Sequence, residues 1–475
     1  MPEFTQLFLD EILAKYKDTA EVERKQAIEE RMYFYDDNFG NYIQQELKNL
    51  FVKENYNALK LQIDDSINIV EFIVNEVSKV YFMDPKRTVA DGSQERFDEI
   101  VKHAQYNLKL DKANKISNCC NESCVLIMPR NDSIELDVVA PDVLTVVQDK
   151  KDPTKAWAII YEVNFVDTQT SPVTQASADD RYFVYWGKDG KHFRFDKNFG
   201  IIKDPDNKEG VNPYMDEKGE YILPIVFFHK EMNENSIWNS TAGNKMFSAQ
   251  KQVSVLSTLF NYYCKWQSFK QIYVTGNYDL EKSKEQILDP AELFQIVGTD
   301  IEIGTLDLQA NLDAFNKVVD SKIERALNQE GLALEQFKRT GDAASGYSIK
   351  VKKEPLIERR NQQIKFYRDY EAELYKKVAI VNNAAYPKKK MDPKKFSIDF
   401  TPMQIEETVE EQVKKKTWEF TNNMSTPIDY MMEKYGLTEK EARKKYEENK
   451  QFFQQQNGRV EQARADLEGA LSGEA

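Results

Sequence analysis

Apolar positions fall into three successive regimes along the chain. Early on they recur three and four residues apart. Phe8, Ile12, Leu13 and Tyr16 share one helical face, residues 27–34 continue as a second helix, and residues 63–80 are dense enough in Ile and Val for a buried one. That third pattern stops at Tyr81-Phe-Met-Asp-Pro85, where the proline is expected to end the helix. From Cys124 the period changes to short β-branched and aromatic runs: 124–128, 134–139, 144–148, 157–163, 182–186 and 192–195. Pro, Asp and Gly clusters separate them, which predicts an antiparallel meander, with Asp189-Gly190 as a hairpin turn. Tyr221-Ile-Leu-Pro-Ile-Val-Phe-Phe-His229 closes this block.

Helical spacing then returns over 240–269, marked by Phe247, Val253, Leu256, Phe260 and Tyr263. A compact insert follows, with strands at 271–274 and 301–303 and a mixed element over 288–297. A second long helix, 306–336, carries Leu308, Leu312, Phe315, Val319, Ile323 and Ala326 on one stripe. After a loop, Ile357, Ile364, Tyr367, Tyr370, Leu374, Val378 and Val381 draw another long helix. Tyr386 to Lys395 reads as a basic, solvated linker and Phe396–Thr401 as a strand that returns to the earlier β block, making that domain discontinuous in sequence. The remainder is polar and helical. Thr426-Pro427 is an N-cap followed by proline, Gly436 a stop, and Thr438-Glu-Lys-Glu441 a capping box. The fold class is α+β.

Composition narrows the function. Of 475 residues 41% are hydrophobic and 12% aromatic, enough for several cores. No apolar run reaches the roughly eighteen residues of a membrane span, and Met1-Pro-Glu-Phe-Thr-Gln lacks a signal-peptide pattern, so a soluble cytoplasmic product is expected. The net charge of −14 argues against a tight DNA clamp but not against a conduit along which a polyanion slides. Cys119, Cys120, Cys124 and Cys264 lack the spacing of a zinc site and read as reduced thiols. Asp204 to Gly210 fails as a calcium loop, since Lys208 takes the fifth position and Glu209 the place of the glycine. Gly341 and Gly346 have phosphate-loop spacing, but Tyr347 replaces the lysine and the loop follows a helix rather than a strand. His103, His192 and His229 form no catalytic motif. No enzyme, cofactor or metal is expected.

The loop Phe337-Lys-Arg-Thr-Gly-Asp-Ala-Ala-Ser-Gly-Tyr-Ser-Ile-Lys350 and the Pro355-Leu356 that follows it resemble the portal proteins of tailed bacteriophages. So does the order of helix, small insert, helix, loop and proline-bearing helix. The resemblance implies a wing (1–235), a stem helix (236–269), a clip (270–305), a second stem helix (306–336), a tunnel loop (337–346), a kinked tunnel helix with the strand returning to the wing (347–402) and a crown (403–475). It places Lys338, Arg339, Thr340, Gly341, Asp342, Ala343, Ala344, Ser345 and Gly346 along a DNA channel, with the helix kinked at Pro355. Gln271, Tyr273, Asn277, Tyr278, Glu281, Lys284 and Glu302 would be clip residues that meet terminase or adaptors. It further implies a homododecameric ring at one capsid vertex, assembled in the host cytoplasm. The partners would be the large terminase subunit, head-completion, major capsid and scaffolding proteins, and weakly held double-stranded DNA, with no membrane. The other reading is an acidic helical adaptor without a DNA channel.

Overall fold

Asp18 caps the helix α1 (Thr19–Tyr35), its carboxylate accepting from the amide of Ala20. Three more helices follow, α2 (Gly40–Leu50), α3 (Lys53–Leu59) and α4 (Ile69–Val77). Next come strand β1 (Lys86–Val89) and the helices α5 (Gln94–His103) and α6 (Tyr106–Cys120). The computed structural model describes residues 14–15, 17–90, 92–164, 181–196, 200–202, 210–239, 245–267, 271–278, 298–306, 312–338, 346–402, 409–422 and 424–454. The expected turn set at Phe8, Ile12, Leu13 and Tyr16 lies outside them.

The Ile- and Val-rich stretch does form a buried helix, with Ile69, Val70, Ile73, Val74 and Val77 all in the core. It is shorter than its apolar pattern. Asn68 caps it by accepting from the amide of Glu71, and Ser78, at ψ 71°, leaves helical geometry well before Pro85. The side-chain cap and the backbone of Ser78 set its limits, not the proline.

All six expected strand runs exist, but they divide between two sheets. β2 (Glu122–Arg130) pairs with β3 (Ser133–Val139) on one edge and with β9 (Ile225–His229) on the other. A turn of 3₁₀ helix opened by Pro141 then carries the chain out of that sheet. β4 (Leu144–Gln148), β5 (Ala156–Asn164), β6 (Arg181–Gly187), β7 (His192–Asp196) and β8 (Ile201–Ile202) form a five-stranded antiparallel meander. Gly190, at φ +81°, makes the β6–β7 turn, and the Tyr221 ring occupies the space a side chain would need. One face of this meander joins the main core through Ile159, Tyr161, Val184 and Trp186. The other holds a separate cluster of Ala158, Ile160, Phe183, Tyr185, Phe193 and Phe195.

Beyond the sheets lie α7 (Lys245–Gln267), β10 (Gln271–Tyr278), β11 (Gly298–Leu306), α8 (Leu312–Gln329), α9 (Leu334–Lys338) and α10 (Gly346–Ala385). The helix expected over 306–336 is therefore two helices. Its first residue ends a strand, and the chain turns at Gly331, φ +76°, where Leu332 donates to the Leu327 carbonyl. The mixed element expected over 288–297 lies outside the described residues. β12 (Phe396–Asp399) was expected to return to the earlier β block; it pairs antiparallel with β1 instead, in a two-stranded sheet apart from both larger ones. The segment before it is not a free linker. Asn383 exchanges hydrogen bonds with the backbone of Met391, which is buried, and Tyr375 donates to the Asp392 carbonyl.

The chain divides into two units, 1–341 with 352–403, and 342–351 with 404–475. The second contains α11 (Val409–Thr421), α12 (Pro427–Tyr435) and a helix over 439–454. Its helix limits are as the sequence indicates. Thr426 and Asp429 form a capping box, Gly436 is left-handed, and Thr438 is capped by Glu441.

Candidate functional site

Two long helices with a β-hairpin between them form the first part of the site. Phe260 of α7 stacks on Phe315 of α8 with ring centroids 5.4 Å apart, and Lys322 of α8 donates to Gln252 of α7 at 2.9 Å. The pairs nest, an earlier position on one helix facing a later one on the other, so the helices run antiparallel. Buried side chains on the two helices include Val253, Ser257 and Thr258 on α7 and Val319, Ile323 and Ala326 on α8. β10 and β11 pair antiparallel, with a bulge between Thr275 and Asn277. Of the expected clip residues, Gln271, Tyr273, Asn277 and Tyr278 lie along β10, opposite Leu306, Gly304, Thr299 and Gly298. Glu302 lies on β11 opposite Thr275 and is exposed. Glu281 and Lys284 lie outside the described residues.

The second part is the approach to the loop. Lys338 ends α9, and its ammonium pairs with Asp320 at 2.5 Å, both side chains well exposed. Gly346 is the first residue of α10. The expected channel residues Arg339, Thr340, Gly341, Asp342, Ala343, Ala344 and Ser345 lie outside the described residues. What positions Lys338 is visible: the Phe337 ring meets the edge of Phe72 at 5.0 Å, and Glu330 pairs with Arg359. Pro355 lies inside α10, and its Cβ is 3.0 Å from where a side chain on Gly331 would begin. Gly331 is thus required twice, by its left-handed backbone and by the approach of Pro355.

Sequence reasoning missed the polar ladder that fixes α10. Its signal was present, because Arg360, Gln363, Tyr367 and Glu371 repeat three or four residues apart within an apolar stripe. Arg360, buried, donates to the carbonyls of Lys79 and Thr401. Gln363 donates to Asn118, which in turn donates to Ser78. The Tyr367 hydroxyl lies 2.8 Å from the Ser117 hydroxyl and accepts from Asn114. Glu371 has no exposed surface and receives both Arg87, at 2.6 and 3.0 Å, and the Tyr81 hydroxyl at 3.0 Å. Burial works against the charge of Arg87, but Glu371 more than restores it and the guanidinium pKa lies above its ordinary value. Burial and the Glu371 charge push the phenol of Tyr81 well up.

Another buried acid guards the entrance to α7. Glu122 is fully buried. Its Oε1 accepts from the backbone amide of Asn239, while Oε2 has no hydrogen-bond partner among the described residues. Asn121 holds the carbonyl of the same Asn239, so two neighbouring side chains pin the backbone just ahead of the helix. Burial raises the pKa of Glu122 from 4.5 to about 7, only partly opposed by the Asn239 amide, Asn233, Arg31 and Arg24. Because the folded-state value is raised, its contribution to stability is complete below pH 4.5 and is lost as pH rises through 7. That shift corresponds to a loss of about 3 kcal/mol across the window. Glu122→Gln should remove this slope. Urea unfolding of both proteins from pH 4.5 to 7.5 checks it, and parallel pH dependence in the two would contradict the assignment.

The remaining candidates are accounted for by packing. Cys119, Cys120 and Cys124 are buried free thiols, and burial raises the thiol pKa of Cys124. His192 stacks on Trp186 with centroids 3.6 Å apart, and His103 lies 3.6 Å from Glu135. Among the described residues no His, Cys, Asp and Glu group has metal-site geometry, and no helix is long and apolar enough to cross a membrane. Lys389 of the basic segment lies 3.8 Å from Glu99.

No protein-family model matches the chain, and no curated protein matches it. Among solved structures, a chain of the virion of a native gene transfer agent particle aligns with 78% of this chain and 90% of its own length. The identity is 9% and the TM-score 0.39. A likeness at that level is too loose to transfer a fold or a role.

Proposed function

We propose that this protein is a portal subunit, one copy in a ring that forms the DNA channel at a capsid vertex. The observation that carries the reading is the arrangement from α7 to α10. An antiparallel helix pair bears a hairpin at one end, and the Gly331 turn leads to a forty-residue helix containing Pro355. These parts agree in order with the resemblance drawn from the sequence. In this reading α7 and α8 are the stem, the β10–β11 hairpin is the clip facing terminase and adaptors, and residues 339–345 line the channel. The polar ladder along α10 anchors the tunnel helix in the wing, and the residues after 403 form the crown. The protein hydrolyses nothing itself; the terminase partner supplies the work.

A ring also gives a role to apolar side chains that one chain leaves uncovered. Leu50, Val52 and Leu61 lie close in sequence around α3 and are 61%, 65% and 81% exposed. Native mass spectrometry and electron microscopy of the purified protein should show closed rings, dodecameric by the resemblance. Monomers or dimers alone, over micromolar and higher concentrations and in procapsids, would favour the acidic adaptor instead.

Charge yields a second expectation. Twelve copies at −14 each carry roughly −170, so free duplex DNA should bind poorly at physiological salt. Lys338, already paired with Asp320, and the lysines at 388–390 would supply only transient contacts, which translocation requires. Filter binding of linear duplex should show weak affinity that fades as salt rises. Salt-resistant nanomolar binding would mean a DNA clamp rather than a conduit.

A further inference from the structure

The second unit has almost no core of its own. Ala442 is the only buried side chain among its described residues, while Val413, Trp418, Met424, Tyr435, Phe452 and Phe453 are each half or more exposed. What holds its helices is local. Side-chain caps at Thr426 and Thr438 set where two of them begin, and the ammonium groups of Lys416 and Lys445 lie over the rings of Tyr430 and Tyr435, at 5.5 and 3.7 Å. Such contacts orient helices but remove little apolar surface from water. α11 and α12 have 13 and 9 residues, lengths at which an isolated helix is marginal in water, so their order has to come from packing.

The uncovered surface has a direction. Along the helix over 439–454, Ala442, Tyr446 and Phe453 share one face, since each follows the last by whole helical turns. That face is buried at Ala442, half-buried at Tyr446 and 61% exposed at Phe453, and every residue from 447 to 454 is exposed. The stripe that begins against its own unit therefore runs out from under it. Phe452 and Phe453, in edge-to-face contact with each other, end it. Charge narrows what can lie there. Residues 409–454 carry nine acidic and nine basic side chains, so the net −14 of the chain resides entirely outside them. The signs alternate along the last helix, with Arg443 and Glu439 at 2.8 Å and Lys444 and Glu448 at 3.9 Å. Duplex DNA or a strongly acidic protein finds no net positive charge here to bind. A second copy of the same unit meets a neutral surface of mixed sign, with no like-charge repulsion to overcome.

We propose that the exposed apolar face of residues 409–454 is covered by the same unit of a neighbouring copy, and that the unit acquires its stable fold as copies assemble. The proposal rests on the portal reading for the ring that sets copies side by side. Trp418 and Phe453, exposed in one chain, are then anchors of the interface between copies, and the first unit folds with or without them.

Hydrogen exchange of the full-length protein tests it, read separately on ring and monomer fractions obtained by concentration and dilution. Amides of residues 409–454 should exchange about tenfold or more slowly in rings than in monomers, as for a segment that orders on association. Those in the buried part of α10, over 364–381, should be protected in both. Trp418→Ser combined with Phe453→Ser should speed exchange of 409–454 in rings by about tenfold or more, the usual effect of truncating interface aromatics, and leave α10 unchanged. This second comparison needs no monomer, so it holds even if rings never dissociate, and the α10 amides report whether the variant has folded. Equal protection of 409–454 in monomer and ring, or a folded variant indistinguishable from the unaltered protein, would overturn the proposal and leave the portal reading untouched. Dimers or open assemblies without rings, with 409–454 protected in them, would remove the portal reading and keep this interface. A chain that stays monomeric at every concentration would overturn both.

Discussion

Glu371→Ala should destabilise the first unit by about 3–5 kcal/mol, the usual result of leaving a buried charge without its partner. The substitution removes the only carboxylate among the described residues that meets Arg87, whose side chain is almost fully enclosed, and strips the Tyr81 hydroxyl of its acceptor. Arg87 would retain Asn107 as a neutral acceptor, which is too little to balance a buried guanidinium. The paired change Arg87→Met with Glu371→Leu should cost much less than the single one, because both charges leave together. Hydrogen exchange of α10 amides, together with urea unfolding, reads the effect. A loss below about 1 kcal/mol in the single variant would show that the ladder is peripheral to stability. In the portal reading this variant should also fail to hold the tunnel helix, and rings should form in reduced yield.

Removing residues 341–346 should leave the fold and ring assembly intact and abolish packaging or retention of DNA. The segment is poor in apolar side chains, so its loss forfeits little core energy. The groups that anchor its surroundings remain: Phe337 on Phe72, Lys338 with Asp320, Glu330 with Arg359, and Pro355 against Gly331. The measurement is packaged DNA length and particle yield in cells producing the variant, beside a circular dichroism check of folding. Normal particles with full-length DNA would remove the channel role from this loop. Misfolded protein would show instead that the loop is structural, and single replacements such as Arg339→Ala and Asp342→Ala would then carry the test.

Local chemistry made much of this architecture readable in the sequence. Period-two runs located β2 to β7, and Asp189-Gly190 marked their clearest hairpin. Capping residues fixed α12 and the helix after it almost to the residue, because a cap is a contact between neighbours in sequence. The long helices α7, α8 and α10 were visible from their apolar stripes. Periodicity did not show where α8 stops. The stripe continues through residues 330–333, and the break follows from Gly331 taking a left-handed turn under Pro355, a residue more than twenty positions away.

Only the tertiary structure decided the rest, and one reason covers most of it. Strand periodicity states which face is buried but not which strand lies alongside, so one expected meander became two sheets, with β9 returning to β2 across a hundred residues. The apparently solvated lysine-rich linker is stapled by Asn382 and Asn383, whose partners are backbone groups several residues on. In the sequence reading, neither Glu122 nor Glu371 is singled out among the 79 acidic residues of the chain. Burial gave one a raised pKa and the other a buried arginine partner, and burial belongs to the assembled fold rather than to any stretch of sequence.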